Sequence, residues 1–156
     1  MPGAPKIFGI SVLILVMGIL QNTDLLLIAG VKPNLLLVLM IALAFFVEDA
    51  WLYGFYILEC VALLASGGLF APEIVTFVLL LLAAAWVSAR WHTQAILTAG
   101  LVFAASTVFF YIFSEPTYLL SSPGLIGIEL VYNVVVGLLL FKICENFLNT
   151  NSMLRT

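Results

Sequence analysis

Two carboxylates, Glu59 and Glu129, lie deep inside long apolar runs, where an ionised acid is costly unless it is paired. Acids in such positions can carry protons during transport, or they can be protonated and hydrogen-bond a neighbouring helix. No Lys or Arg lies at a matching depth, so an ion pair is not expected. Tyr132 and Asn133 follow Glu129 at spacings i+3 and i+4, which places the three side chains on one helix face. That face must point at another helix or at a partner, and not at lipid.

We expect this polar face to be satisfied across a helix interface, because polar groups without partners are costly in lipid. The candidate partners within the chain are Glu59, Ser106 and Thr107. One hypothesis is an internal polar latch that fixes the sixth apolar run against the third and fifth runs. The alternative hypothesis is that the polar face docks a partner protein directly.

The sequence carries no recognisable catalytic set: no nucleophile with a base, no glycine-rich phosphate loop and no residues at metal-ligand spacing. Cys60 and Cys144 lie inside apolar runs, which is not typical of a disulfide framework. The single histidine, His92, follows Arg90 and Trp91, as expected of an anchor at a membrane interface. We therefore expect a protein that is not an enzyme and that holds no metal and no cofactor.

Composition indicates that the solvent is lipid. Of the 156 residues, 65% are hydrophobic and 8% are charged, and the mean hydropathy is +1.28; soluble domains are about half apolar and about a quarter charged. Five Lys and Arg with a net charge of −3 leave no basic surface for nucleic acid. We expect an all-α integral membrane protein, with one domain at 1–148 and a short polar cytoplasmic tail at 149–156.

Six apolar runs predict a bundle of six transmembrane helices. The runs are 7–20, 35–47, 50–66, 71–89, 94–113 and 125–141. The first run is too short to cross a core of about 30 Å upright, so we expect it to tilt, or the segment 25–29 to re-enter the membrane. Polar or turn-forming residues at 21–24, 66–68 and 114–116 end three of the runs.

The distribution of cations predicts that both termini are cytoplasmic, because Lys and Arg are retained on that side. With six spans, the cations on the cytoplasmic side are Lys6, Arg90, Lys142 and Arg155, and only Lys32 lies outside. An odd number of spans places the C-terminal cations opposite Lys6 and weakens this asymmetry. The loops at 21–34, 67–72 and 114–124 then face the exterior.

Small residues recur four apart on the third run, which lets another helix approach closely. The ridge consists of Ala50, Gly54, Ala62 and Ser66, with Leu58 at the missing step. Similar pairs occur at 85 and 89, at 95 and 99, and at 100 and 104. These ridges fit either packing within the bundle or contact with the transmembrane helix of a partner.

The segment 30–39, GVKPNLLLVL, resembles the start of the second helix in the rod shape-determining protein MreD family. That family typically reads Pro-Asp before a leucine-rich helix, and here Asn34 follows Pro33. The segment 131–139, VYNVVVGLL, is similar to the family's terminal Leu-Tyr-Asn helix. The third run departs from the family: many members carry a glycine-rich stretch with an Asp where this chain has LECVA at 58–62, with Glu59 as the candidate replacement.

The resemblance implies a regulator of bacterial cell shape in the inner membrane. Its implied partners are an MreC-like single-span protein and, indirectly, the MreB cytoskeleton, the glycosyltransferase and the transpeptidase of peptidoglycan elongation. The implied fold is similar to the S components of energy-coupling-factor vitamin transporters, so a vitamin-binding S component is the alternative function. The Ala-xxx-Ala docking pattern of those proteins is absent from the first helix, which reads GISVL at 9–13. The residues expected to bind the partner or form the latch are Asp24, Lys32, Pro33, Asn34, Gly54, Glu59, Glu129, Tyr132 and Asn133.

Overall fold

The computed structural model describes residues 4–27, 30–65, 71–91 and 95–149, and these ranges contain helices and loops without β-strands. The helices are α1 (Ala4–Gln21), α2 (Leu35–Ala44), α3 (Ala50–Leu64), α4 (Pro72–Ser88), α5 (Ala95–Ser114), α6 (Pro116–Ser121) and α7 (Pro123–Asn149). Predicted features at 66–68, at His92 and in the tail 150–156 lie outside the described residues. Within the described ranges, the expected all-α architecture is confirmed.

Three of these helices are long and apolar enough to cross a membrane: α1, α5 and the 26 residues Pro123–Leu148 of α7. The helices α2, α3 and α4 are apolar but shorter, with 10, 15 and 17 residues. At about 1.5 Å of rise per residue, α2 extends over roughly 15 Å, which is half of a hydrocarbon core of about 30 Å. Helix length therefore supports three membrane spans and does not confirm six.

The boundaries of several elements differ from those predicted. α2 ends at Ala44, three residues before the apolar run does, because the backbone turns at the C-cap residue Phe45. α7 begins at Pro123 and continues through the segment 142–148 without a break. The predicted loop at 114–124 contains the short helix α6. Residues 25–27 are not helical, so the described part of the 25–29 segment does not re-enter as a helix.

Helix α2 occupies the centre of the bundle. All ten of its residues are buried, with relative exposures between 0 and 9%, and α1, α3, α4, α5 and α7 all pack against it. Its sequence, LLLVLMIALA, is apolar on every face and is therefore compatible with burial on all sides. A short helix with both ends inside a membrane protein needs partners for its terminal backbone groups.

The two termini of the described chain meet at one end of the bundle, which we call the termini end. The Nζ of Lys6 donates to the carbonyl of Leu148 at 3.1 Å. The last turn of α2 lies toward this end, since the rings of Phe45 and Phe46 pack against Phe141 of α7 with centroids 5.6 and 4.9 Å away. The opposite end contains the N-terminus of α2 and the loop that precedes it.

Close approach of α5 and α7 depends on Gly137. A Cβ atom at this position would lie 2.8 Å from ring atoms of Phe103, which is fully buried. Glycine therefore allows the Phe103 ring to lie directly against the backbone of α7. This contact holds α7 close to α5 along the part of the bundle that carries its polar face.

Candidate functional site

A polar bowl opens at the end of the bundle opposite the termini. Its cavity measures about 390 Å³, and its polar lining includes Gln21, Lys32, Asn34, Glu115 and Glu129. The floor of the bowl is the N-terminus of α2, where helix geometry leaves backbone N–H groups without intrahelical partners. The side chains around the floor decide whether those groups are satisfied.

Three of the N–H groups at this terminus are satisfied by side-chain amides. The N–H of Asn34 donates to Oδ1 of Asn133 at 2.8 Å. The N–H of Leu36 donates to Oε1 of Gln21 at 3.0 Å. The N–H of Leu37 donates to Oδ1 of Asn34 itself at 3.2 Å, which makes Asn34 the N-cap. Neutral amides from α1 and α7 thus allow α2 to begin inside the bundle.

The same Asn133 side chain, which is fully buried, also bonds α5. Its Nδ2 donates to Oγ1 of Thr107 at 3.0 Å and lies 3.5 Å from Oε1 of Glu129. The hydroxyl of Tyr111 donates to the other carboxylate oxygen of Glu129. These four residues and Asn34 form one hydrogen-bonded group, which we call the amide cluster, and it joins α2, α5 and α7.

The predicted polar face of the sixth run is therefore satisfied internally, and Thr107 is the partner among the three candidates. The expectation that this face also ties to the third run was wrong, because α2 lies against both α3 and α7. Glu59 on α3 is only half-buried, and its Oε2 is a buried atom with no hydrogen-bond partner among the described residues. The acid does not belong to the amide cluster.

Four further predicted site residues lie in or against the loop between α1 and α2. The hydroxyl of Tyr132 donates to the carbonyl of Leu26 at 3.2 Å. Nζ of Lys32 lies 2.6 Å from Oδ1 of Asp24, and this hydrogen bond and the Lys32 charge hold the pKa of the Asp24 carboxyl below its ordinary value. Pro33 is buried directly before the N-cap.

Two residues that contribute to this end of the bundle are not among the predicted site residues. In the sequence Gln21 belongs to the polar break after the first run, and in the structure its side chain caps α2. Tyr111 lies in an apolar run, and its bond to Glu129 closes one side of the amide cluster. Gln21 could have been suspected as a capping residue, because it is a polar residue at the end of a short apolar run. No spacing pattern identifies Tyr111.

The small-residue ridge of α3 faces outward. Ala50, Leu58 and Ala62 are exposed, and a Cβ atom on Gly54 would have nothing within 4 Å. Packing within the described part of the bundle therefore does not require glycine at this position.

Aromatic and cationic side chains are distributed unequally between the two ends. Trp51, Trp86 and Trp91 are all exposed near the termini end, and the guanidinium of Arg90 lies 3.9 Å from the ring centroid of Trp86. Lys6 lies at this end too. Tryptophans are typical of both membrane interfaces, whereas an excess of cations is typical of the cytoplasmic side.

No family model, curated protein or solved structure matches this chain. Within the described ranges, no three His, Cys, Asp or Glu side chains come together in a group that could hold a metal ion.

The amide cluster can satisfy backbone groups and hold α2, α5 and α7 in fixed positions, since its polar atoms are bonded to one another. Glu115, by contrast, is exposed on the wall of the bowl.

Proposed function

We propose that the chain is a non-enzymatic scaffold of the bacterial inner membrane that holds the transmembrane helix of an MreC-like single-span protein. In this role it belongs with MreD-like proteins in cell-shape maintenance. Its links to the MreB cytoskeleton, the glycosyltransferase and the transpeptidase of peptidoglycan elongation are indirect. The observation that carries the proposal is the position of α2: a fully buried helix fills the centre of the bundle, while the apolar surfaces of the surrounding helices remain open to other helices.

The proposed topology has six membrane passes with both termini in the cytoplasm. The contact between Lys6 and Leu148 supports an even number of passes, because the two terminal helices meet at one end. Lys6 and Arg90 near that end support its cytoplasmic assignment, and Lys32 lies at the other end. In this topology α2 crosses together with the residues directly before it, where the N–H of Asn34 is bonded to Asn133 inside the bundle.

Co-expression with an MreC-like single-span protein tests the proposal. The tagged chain, solubilised in a mild detergent and purified, is expected to retain the partner at a fixed stoichiometry. A single-span protein of unrelated sequence, expressed to the same level, is the control for nonspecific association. Loss of the partner under conditions in which the bundle itself remains folded would contradict the proposed function.

The polar bowl supports an alternative function, an S component that binds a small solute. Its lining offers carboxylates, amides and phenolic hydroxyls around a cavity of about 390 Å³, a volume within the range of ligand sites. Under this alternative, the chain purified from its own membranes carries a vitamin at one molecule per chain. Glu115→Gln would then weaken rebinding of the vitamin, whereas the scaffold proposal predicts no specific solute and no effect of this substitution.

A further inference from the structure

A groove of about 490 Å³ runs between α3 and α4 toward the termini end. Small residues line both of its walls: Ala50 and Gly54 on α3, and Ala85 and Ala89 on α4. Two small-residue patterns that are separate in the sequence therefore face one another across the same space. We call this space the α3–α4 groove.

The polar groups in the floor of the groove are already bonded inside the protein. The hydroxyl of Tyr53 donates to the carbonyl of Met40 at 3.1 Å. The hydroxyl of Ser88 donates to the carbonyl of Ala44 at 2.8 Å, which satisfies the last turn of α2. The floor thus presents mainly carbon atoms to whatever lies in the groove.

Small side chains on both walls favour a helix as the occupant. In lipid, helices associate by close backbone approach, and Gly and Ala permit that approach, whereas a flexible acyl chain does not require it. A Cβ atom on Gly54 would contact nothing within 4 Å, so the bundle itself does not explain a glycine here. Glycine in a helix interior also costs stability relative to alanine.

The lining of the groove also carries a negative charge, at Glu48. Glu48 is exposed there and makes no hydrogen bond or ion pair with any residue in the described ranges. The nearby Asp49 differs, since its carboxylate accepts bonds from the N–H groups of Trp51 and Leu52 as the N-cap of α3. Transmembrane helices carry Lys or Arg at their cytoplasmic ends, and such a residue complements Glu48.

Resting on the function proposed above, we propose that the α3–α4 groove seats one transmembrane helix of the partner protein. Large aliphatic side chains of that helix pack against Gly54 and Ala85. A Lys or Arg at its cytoplasmic end pairs with Glu48. The groove thereby specifies both the docking surface and the character of the helix that fills it.

Substitutions that fill the groove test this assignment in the full chain, co-expressed with the MreC-like protein. Gly54→Leu and Ala85→Leu are expected to reduce the retained partner by roughly tenfold, which corresponds to about 1.4 kcal/mol. Ala62→Leu and Ala105→Leu are matched controls, because both positions are exposed small residues on helices and do not line the groove. The controls are expected to retain the partner as the unsubstituted chain does.

Two further measurements separate docking from folding. Thermal unfolding of purified Gly54→Leu should match that of the unsubstituted chain, since the space beside Gly54 is open. Glu48→Lys should weaken retention, and replacing the partner's basic residue by Glu should restore it. Restoration by this charge exchange supports direct contact at Glu48.

Each other outcome overturns a different statement. If the unsubstituted chain retains no partner, the proposed function fails, and the partner-helix assignment of the groove fails with it. If the unsubstituted chain and both groove variants retain the partner equally, only the groove assignment fails. If the groove variants instead lose a homodimer while partner binding persists, the occupant is a second copy of this chain and the assignment is wrong.

Discussion

Replacing Asn133 by Leu removes the centre of the amide cluster at nearly constant side-chain size. Two well-formed hydrogen bonds are lost, from the N–H of Asn34 at 2.8 Å and to Oγ1 of Thr107 at 3.0 Å. Measured hydrogen bonds between transmembrane helices average about 0.6 kcal/mol and reach about 1.7 kcal/mol. The expected loss in the free energy of unfolding is therefore about 1 to 3 kcal/mol. The N–H of Asn34, at the half-buried start of α2, loses its partner in this variant and contributes to the loss.

The loss is measured by reversible unfolding of the purified protein in mixed detergent micelles. Val135→Leu, at an exposed position on the same helix, is the matched control and should leave stability unchanged. Thr107→Val removes one partner alone, and its effect should combine non-additively with that of Asn133→Leu. An Asn133→Leu protein that is as stable as the unsubstituted chain, yet impaired only in complex formation, would refute the latch and make this face a docking surface.

Three further predictions concern other contacts. Gly137→Ala should destabilise the isolated protein by about 1 to 3 kcal/mol through overpacking against Phe103; unchanged unfolding would show that the α5–α7 contact is loose. Ser88→Ala should cost about 0.6 to 1.7 kcal/mol in the same assay, because it frees the carbonyl at the end of α2; an unchanged stability would contradict this cap. Lys32 lowers the pKa of Asp24 from its ordinary value of 3.8, so their bond is intact at neutral pH and breaks only as the pH falls through the lowered value. Carboxyl NMR titration of Lys32→Met should return the pKa to its ordinary range, and an unshifted titration would contradict the pairing.

The fold was predictable where the sequence contains polar breaks. Breaks near 21–24 and 114–116 indicated the ends of α1 and α5 to within a residue or two. The end of α2 was not predictable, because residues 45–47 are as apolar as the helix before them, and the contact of Phe45 with Phe141 is tertiary. Uniformly apolar runs lack the periodicity from which a helix face or a helix end is read.

The candidate site was predictable on one side only. The spacing of Glu129, Tyr132 and Asn133 indicated a face that needs polar partners, and Thr107 was among the few side chains available to it. The second partner of Asn133 is a backbone N–H, at Asn34, and every residue except proline carries such a group. Side-chain types therefore could not single it out; the tertiary position of α2 does.

Native mass spectrometry of the protein, released from its own membranes in detergent, tests most directly whether this bundle recognises a helix or a solute. We predict a complex of the chain with a single-span protein at fixed stoichiometry. Collisional activation of this complex in the spectrometer should release no small molecule. That single-span protein should be identifiable as MreC-like from its sequence. A complex consisting of the chain and one vitamin-sized molecule, without a protein partner, would contradict the scaffold function and favour the S component.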